Sequence, residues 1–230
     1  MKAQRDDVWE AIRQEAVAEA GNEPMLGSFL YETILNHEGL EDALSYHLAN
    51  KLGGPVIPAM SIREVIDQAL AADPEIGKAV RCDILGVLER DPACRYHSTP
   101  LLYFKGFMAL QVHRVAHWLW VQDRRQLALY LQNRVSEIFG VDIHPAARIG
   151  CGMLIDHATG VVVGETAVVE DNVSLLHGVT LGGTGKESGD RHPKVRSGVL
   201  IGTGAKILGN IEIGEGAKIG AGSVQRRRRS

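Results

Sequence analysis

Residues 195–224 read VRSGVL IGTGAK ILGNIE IGEGAK IGAGSV, five hexapeptides in succession, each opening on an aliphatic residue. The opening positions are Val195, Ile201, Ile207, Ile213 and Ile219. A fixed short period is the mark of a repeat architecture, and hexapeptides point to a parallel β-helix. Each hexapeptide makes one flat side of a triangular coil. Its aliphatic residue points inward and stacks on its equivalent about 4.8 Å above and below. Small residues four places on, such as Ala205, Ala217 and Ser223, let the chain turn the corners. An amphipathic helix needs a period of 3.6, which this stretch lacks.

The same period extends toward the N-terminus. Val163, Val169, Leu175 and Leu181 form a second run, and Ile143, Ile149 and Ile155 a first. The phase fails twice: the step is eight from Ile155 to Val163 and fourteen from Leu181 to Val195. Insertions in repeats tend to map to the working face. The first break holds Asp156 and His157; the second is the polar run GGTGKESGDRHPK over residues 182–194, an extended loop leaving the coil and returning to it. Its GGTGK segment is not a phosphate-binding loop, because the four residues between glycines are missing.

Before Gly140 the text is helical. Ser61 with Glu64 reads as a capping box before Ile62, Val65, Ile66, Ala69 and Leu70. Asp73-Pro74 opens the next helix, with Ile76, Val80, Ile84, Val87 and Leu88 as its apolar face. Asp91-Pro92 ends it. Thr99-Pro100 starts a long pattern, broken near Asp123, that runs to Phe139. The expected fold class is therefore α + β: an N-terminal all-α domain over 1–140, a left-handed parallel β-helix over 141–224, and a basic, disordered end over 225–230.

The chain has 230 residues and a formal net charge of -3, so no global field favours nucleic acid or an anionic membrane. Four arginines at the end, without interleaved aromatics or a basic domain, do not make a nucleic-acid site. Cys82, Cys94 and Cys151 form neither a CxxC pair nor a disulfide framework. The start, MKAQRDDVWEAIRQEA, lacks an apolar signal core, and the apolar stretch at 101–110 is interrupted by Lys105. A reducing cytoplasm is the expected location.

His157 carries the expected chemistry. An imidazole titrates near neutrality and can accept a hydroxyl proton. A general base needs a carboxylate to orient its ring and steady the imidazolium. Asp142 and Asp156 are both candidates. Asp156 adjoins His157 in a strand-like segment, so strand alternation would send its side chain to the opposite face. Asp142 lies about one coil earlier and is preferred as the orienting group, leaving Asp156 as a substrate contact.

At these residues the sequence closely resembles the serine O-acetyltransferases. The resemblance is carried by VDIHPAARIG, DHATG, GVTLGGTGK, GDRHPKV and the hexapeptides after them, together with RDPAC and STPLLYFKGFMALQVHRVAHWLW in the helical part. It implies direct acetyl transfer from acetyl-CoA to the hydroxyl of L-serine, the first step of cysteine biosynthesis, with His157 as base and Asp142 holding it. It further implies that Asp91 and Asp156 bind the amino acid, with Arg191 and His192 around its carboxylate. Bottom-up chemistry agrees, because a zwitterion needs carboxylates for its ammonium and a cation for its carboxylate. Gly183, Thr203 and Ala221 match positions that read the pantetheine arm through the backbone, and Lys218 meets the nucleotide phosphates. The family assembles as homotrimers through the β-helix, paired into hexamers through the helical domains, and cysteine inhibits it at the serine site. Family members continue past GAGSV into a tail that docks into cysteine synthase; with QRRRRS there instead, no such complex is expected.

Three alternatives accompany this reading. Another small hydroxylated acceptor, such as homoserine or a sugar, would use the same chemistry. A catalytically dead scaffold subunit would not. A γ-type carbonic anhydrase would hold zinc through histidines such as His144, His157 and His177, of which His157 and His177 could stack one coil apart. The resemblance implies no metal. His113 and His117 are spaced like metalloprotease histidines but lack the intervening Glu, and beside Trp118 and Trp120 they read as packing residues.

Overall fold

A computed structural model describes residues 6–185 and 188–226. The chain divides into two compact units, Met1–Phe104 and Lys105–Ser230.

The first unit is helical: α1 (Asp7–Asn22), α2 (Gly27–Leu30), α3 (Leu40–Leu52), α4 (Ala59–Ala72), α5 (Pro74–Arg90) and α6 (Ser98–Tyr103). Ile12, Ile34, Leu40, Leu44, Leu48, Ile66, Ile84 and Leu101 are fully buried at its core. The Asp73 carboxylate caps α5 by accepting the Glu75 N–H at 3.1 Å, with Pro74 at the first helical position, and the helix ends at Asp91 as its Asp-Pro signal requires. The start of α4 differs from expectation. Pro58, not Ser61, precedes the helix, and the Ser61 N–H already donates to the Pro58 carbonyl at 3.1 Å within the first turn. Proline's fixed φ initiates the turn without a side-chain cap.

Glu15 on α1 reaches across 82 residues to accept the backbone N–H groups of His97, at 3.0 Å, and Ser98, at 2.8 Å. Burial alone would raise its carboxyl; the bonds from Ser98 and His97 outweigh burial and hold it low. The opposite case is His47 on α3, buried beside Phe29, whose pKa burial depresses from 6.5 to about 4. A depressed folded pKa means that the unfolded chain binds the extra proton first. Stability contributed by neutral His47 is therefore full above pH 6.5 and lost as pH falls through about 4. The shift corresponds to about 3 kcal/mol. Chemical denaturation of wild type and His47→Gln at pH 7 and pH 4.5 should show a shallower acid loss in the variant.

The second unit opens with α7 (Lys105–Val121) and α8 (Arg125–Phe139). The break between them falls at Asp123, whose φ is 57°, matching the interruption expected there. The pattern also breaks at Phe104, between α6 and α7, which periodicity did not reveal. α8 ends at Gly140, φ 68°, whose N–H donates to the Ser136 carbonyl in a left-handed cap.

From Val141 the chain winds as the expected left-handed parallel β-helix of about four turns. One side stacks β1 (Val141–Ile143), β4 (Val161–Val163), β7 (Thr180–Gly182), β10 (Lys206–Leu208) and β13 (Val224–Arg226). The second stacks β2 (Arg148–Ile149), β5 (Val168–Val169), β8 (Lys194–Val195) and β11 (Glu212–Ile213). The third stacks β3 (Leu154–Asp156), β6 (Ser174–Leu176), β9 (Leu200–Ile201) and β12 (Lys218–Ile219). The hexapeptide aliphatics align as three inward columns. Ile143, Val163, Leu181 and Ile207 make one. Ile149, Val169, Val195 and Ile213 make another. Ile155, Leu175, Ile201 and Ile219 make the third. Helix α7 lies against these coils. Arg114 donates to the Gly150 carbonyl at 2.8 Å, and the His117 ring Nδ1 bonds the Pro145 carbonyl at 2.7 Å.

Gln225 and Arg226, read from sequence as part of a disordered end, lie in β13. The rest of that end, 227–230, and Lys186 and Glu187 of the loop lie outside the described residues. No helix among the described residues is long and apolar enough to cross a membrane.

Candidate active site

The first phase break is the corner between β3 and β4. His157 and Ala158 both adopt positive φ there, 53° and 56°, which side-chain-bearing residues seldom do. Two tight backbone bonds form the turn: Ala158 N–H to the Asp156 carbonyl and Thr159 N–H to the His157 carbonyl, each 2.6 Å. The left-handed step cancels the strand alternation assumed from sequence. Asp156 and His157 come to the same side, with Asp156 Oδ1 3.8 Å from His157 Nε2. The His157 side chain is 78% exposed. The His177 ring stacks one coil on, edge to face at 6.0 Å, as the spacing suggested.

This corner repeats up the coil. Gly178 N–H donates to the Thr159 carbonyl, Gly204 N–H to His177 at 2.9 Å, and Gly222 N–H to Thr203 at 2.8 Å. Gly160, Gly178, Gly204 and Gly222 all take φ between 69° and 76°, and a Cβ at Gly178 would lie 3.4 Å from the Gly204 backbone. Thr203 and Ala221 thus sit in the same corner column as His157. Lys218 lies on the adjoining β12, paired in register with Leu200.

Asp142 occupies the middle of β1, one coil before Val162. Its Oδ1 accepts from Gln132 of α8 at 2.6 Å; within the chain it does not bond His157.

The long loop returns to the coil at the other end of the same side. The Thr166 hydroxyl oxygen accepts the N–H groups of Arg191, at 3.0 Å, and His192, at 3.1 Å. His192 Nδ1 receives the Thr166 N–H at 3.1 Å and faces the Thr166 hydroxyl at 2.8 Å. A nitrogen that accepts cannot carry the proton, so the neutral ring holds its N–H at Nε2. Burial, then the Arg191 charge, keeps this imidazole below its ordinary pKa. The ring lies so close to Gly164 that a Cβ there would fall 2.0 Å from its Nε2. Gly183 also faces His192, its Cβ position 3.5 Å from Nε2. Arg191 pairs with Glu165 at 2.6 Å and holds that carboxyl below the usual range. Lys194 ties the return together through the Thr166 carbonyl at 2.7 Å and the Asp190 carboxylate at 2.5 Å.

In the first unit, Asp91 caps the end of α5, and its carboxylate accepts the Ala93 N–H at 2.9 Å. The structure therefore gathers Asp156, His157, Thr203 and Ala221 at one corner. It gathers Gly183, Arg191 and His192 at another, and sets Asp142 on the strand face between. Sequence reasoning missed Glu165, Thr166 and Gln132, which hold Arg191, His192 and Asp142. Among the described residues no cluster of three or more His, Cys, Asp or Glu is arranged to hold a metal ion.

A family profile described as Serine acetyltransferase, N-terminal, matches residues 8–112, and one described as Bacterial transferase hexapeptide (six repeats) matches 192–224. A serine acetyltransferase of Salmonella typhimurium is 65% identical over 217 residues, covering 94% of this chain and 80% of that protein. The chain belongs to the serine acetyltransferase family. Solved serine acetyltransferases share the fold. One in complex with cysteine superposes with a TM-score of 0.93 at 64% identity, covering 95% of this chain and 90% of its own. Another, from Brucella abortus strain S19 in complex with coenzyme A, gives 0.94 at 57% identity, covering 97% and 91%. As a serine acetyltransferase family member the chain is an acyltransferase, and the zinc carbonic anhydrase alternative falls away.

Proposed function

We propose that this chain transfers the acetyl group of acetyl-CoA to the L-serine hydroxyl by direct attack, with His157 as general base. The observation that carries the reading is an exposed imidazole beside a carboxylate, held on a left-handed corner in a family that acetylates serine. His157 takes the serine Oγ proton as that oxygen bonds the thioester carbonyl carbon. The tetrahedral adduct collapses, the C–S bond breaks, and the CoA thiolate recovers the proton from the imidazolium. The products are O-acetyl-L-serine and CoA.

Acetyl-CoA fits the corner column. The backbone N–H groups of Thr203 and Ala221 are not engaged among the described residues, and their small side chains leave the backbone accessible to an extended pantetheine arm. Lys218, and Gly183 at the loop mouth, complete this site. Arg191 and the His192 Nε2–H bind the serine carboxylate; Asp91 and Asp156 take its ammonium.

One copy is not enough. The His157 corner and the His192 corner lie at opposite ends of three-residue strands, about 10 Å apart along the strand. That is longer than a serine molecule. We therefore place each site between neighbouring β-helices of a homotrimer, paired into a hexamer through the helical unit, with Asp142 steadying His157. Cysteine, which shares the amino and carboxyl groups of serine, inhibits at the same place. This housekeeping chemistry belongs in the cytoplasm. The test is thiol release from acetyl-CoA with serine, homoserine, threonine or a sugar as acceptor, with and without cysteine. Serine alone should support rapid release that cysteine suppresses; equal release with another acceptor would reassign the substrate.

A further inference from the structure

We infer that Gly106, in the first turn of α7, is a positioning residue for His157; this rests on the base assignment above. A Cβ at Gly106 would stand 2.1 Å from the Ile155 carbonyl oxygen and 3.0 Å from the Ala158 Cβ. Both belong to the turn that carries His157, and the nearer one is backbone, so no rotamer change relieves the clash. Any side chain at 106 must push residues 155–158 outward.

That turn has little freedom to absorb such a push. His157 and Ala158 hold positive φ, a conformation of higher energy that persists only where surrounding structure dictates it. Several contacts dictate it here. Ala158 is fully buried, Gly160 N–H donates to the Gly140 carbonyl at 2.7 Å, and Gly178 N–H donates to the Thr159 carbonyl at 2.8 Å. Lys105, next to Gly106, donates to the Thr159 hydroxyl from the same helix turn. Lys105 and Gly106 thus grip the turn on the helix side, while neighbouring coils grip it from the sheet side. The His157 side chain is 78% exposed, and its edge-to-face contact with His177 is too slight to hold the ring if the turn beneath it moves. Its angle toward substrate is set by helix α7 through the backbone beneath it.

The experiment compares wild type, Gly106→Ala, His157→Asn and the double variant, measuring kcat, serine KM and CoA binding by calorimetry, with circular dichroism to confirm folding. Gly106→Ala should lose about 100-fold in kcat, the scale of a misplacement near 1 Å, while CoA affinity stays near wild type and serine KM rises, because Asp156 moves with the same turn. In the His157→Asn background the same substitution should cost nothing further in kcat, because the group it positions is gone. A folded Gly106→Ala with wild-type kcat overturns the inference, as does an equal loss in the His157→Asn background. Should Gly106→Ala not fold, Lys105→Met removes only the tether to Thr159, and its kcat loss should likewise vanish without His157. Wild-type turnover in His157→Asn would instead remove the base assignment.

Discussion

Replacing His157 with asparagine or alanine is expected to slow serine-dependent CoA release about 1,000-fold, within the range that a positioned general base supplies. Folding should be nearly unaffected. The side chain is 78% exposed and leaves no cavity when removed. The backbone φ of 53° is the one demand on the position, and asparagine tolerates that region better than alanine. Asparagine is therefore the cleaner variant: the turn survives and only the base is lost. CoA affinity should persist, because Thr203, Ala221 and Lys218 lie on later coils. Mixing His157→Asn chains with Arg191→Ala chains, followed by reassembly, should restore activity that neither has alone. Of the two kinds of mixed interface, one pairs an intact His157 from one copy with an intact Arg191 from the next, so each mixed trimer regains one complete site. Initial rates before and after mixing check this; no recovery would mean that one chain supplies both groups.

Gly164→Ala is expected to lower kcat/KM for serine about 100-fold, mainly through KM. The added methyl would fall 2.0 Å from both Cδ2 and Nε2 of His192, so the ring must leave. Unlike a clash with backbone, this one is relieved by rotating a side chain. Gly164 has an ordinary φ, so alanine brings no conformational penalty, and the coil should remain folded. What is lost is the seat that aims the His192 N–H, along with its bonds to Thr166. Most acetyl-CoA affinity should be retained, because Thr203, Ala221 and Lys218 lie away from the His192 corner, where Gly183 is the CoA contact beside the displaced ring. Titration with CoA and a serine saturation curve separate the two effects; an unchanged serine KM would show that His192 does not hold the substrate.

The coil was legible because its signal is local and repeated. Each hexapeptide carries its own inward aliphatic, and every one of the twelve joins the expected column. The breaks in phase were equally readable, since a solenoid cannot lose register silently. The details at those breaks were not. Strand alternation separated Asp156 from His157, but a positive φ at a residue with a side chain is imposed by neighbours and leaves no mark in its identity. Glu165 and Thr166 look like any corner of the coil, and only the returning loop, about 26 residues later, gives them Arg191 and His192 to hold. Gly106 reads as an ordinary weak point in a helix; its use depends on a carbonyl 49 residues away. The start of α4 failed for a smaller reason, because Ser61-Glu64 matches a capping box yet sits inside a turn that Pro58 has already begun.

The central claim is that His157 meets the serine hydroxyl beside a bound thioester. The most direct test is a crystal structure of the assembled protein soaked with CoA and L-serine, which cannot react with each other. The serine Oγ is predicted to lie about 3 Å from a ring nitrogen of His157, within hydrogen-bond reach, with the CoA sulfur alongside. Serine bound with its hydroxyl turned away from that imidazole, or held at a corner that His157 does not reach, would contradict the account.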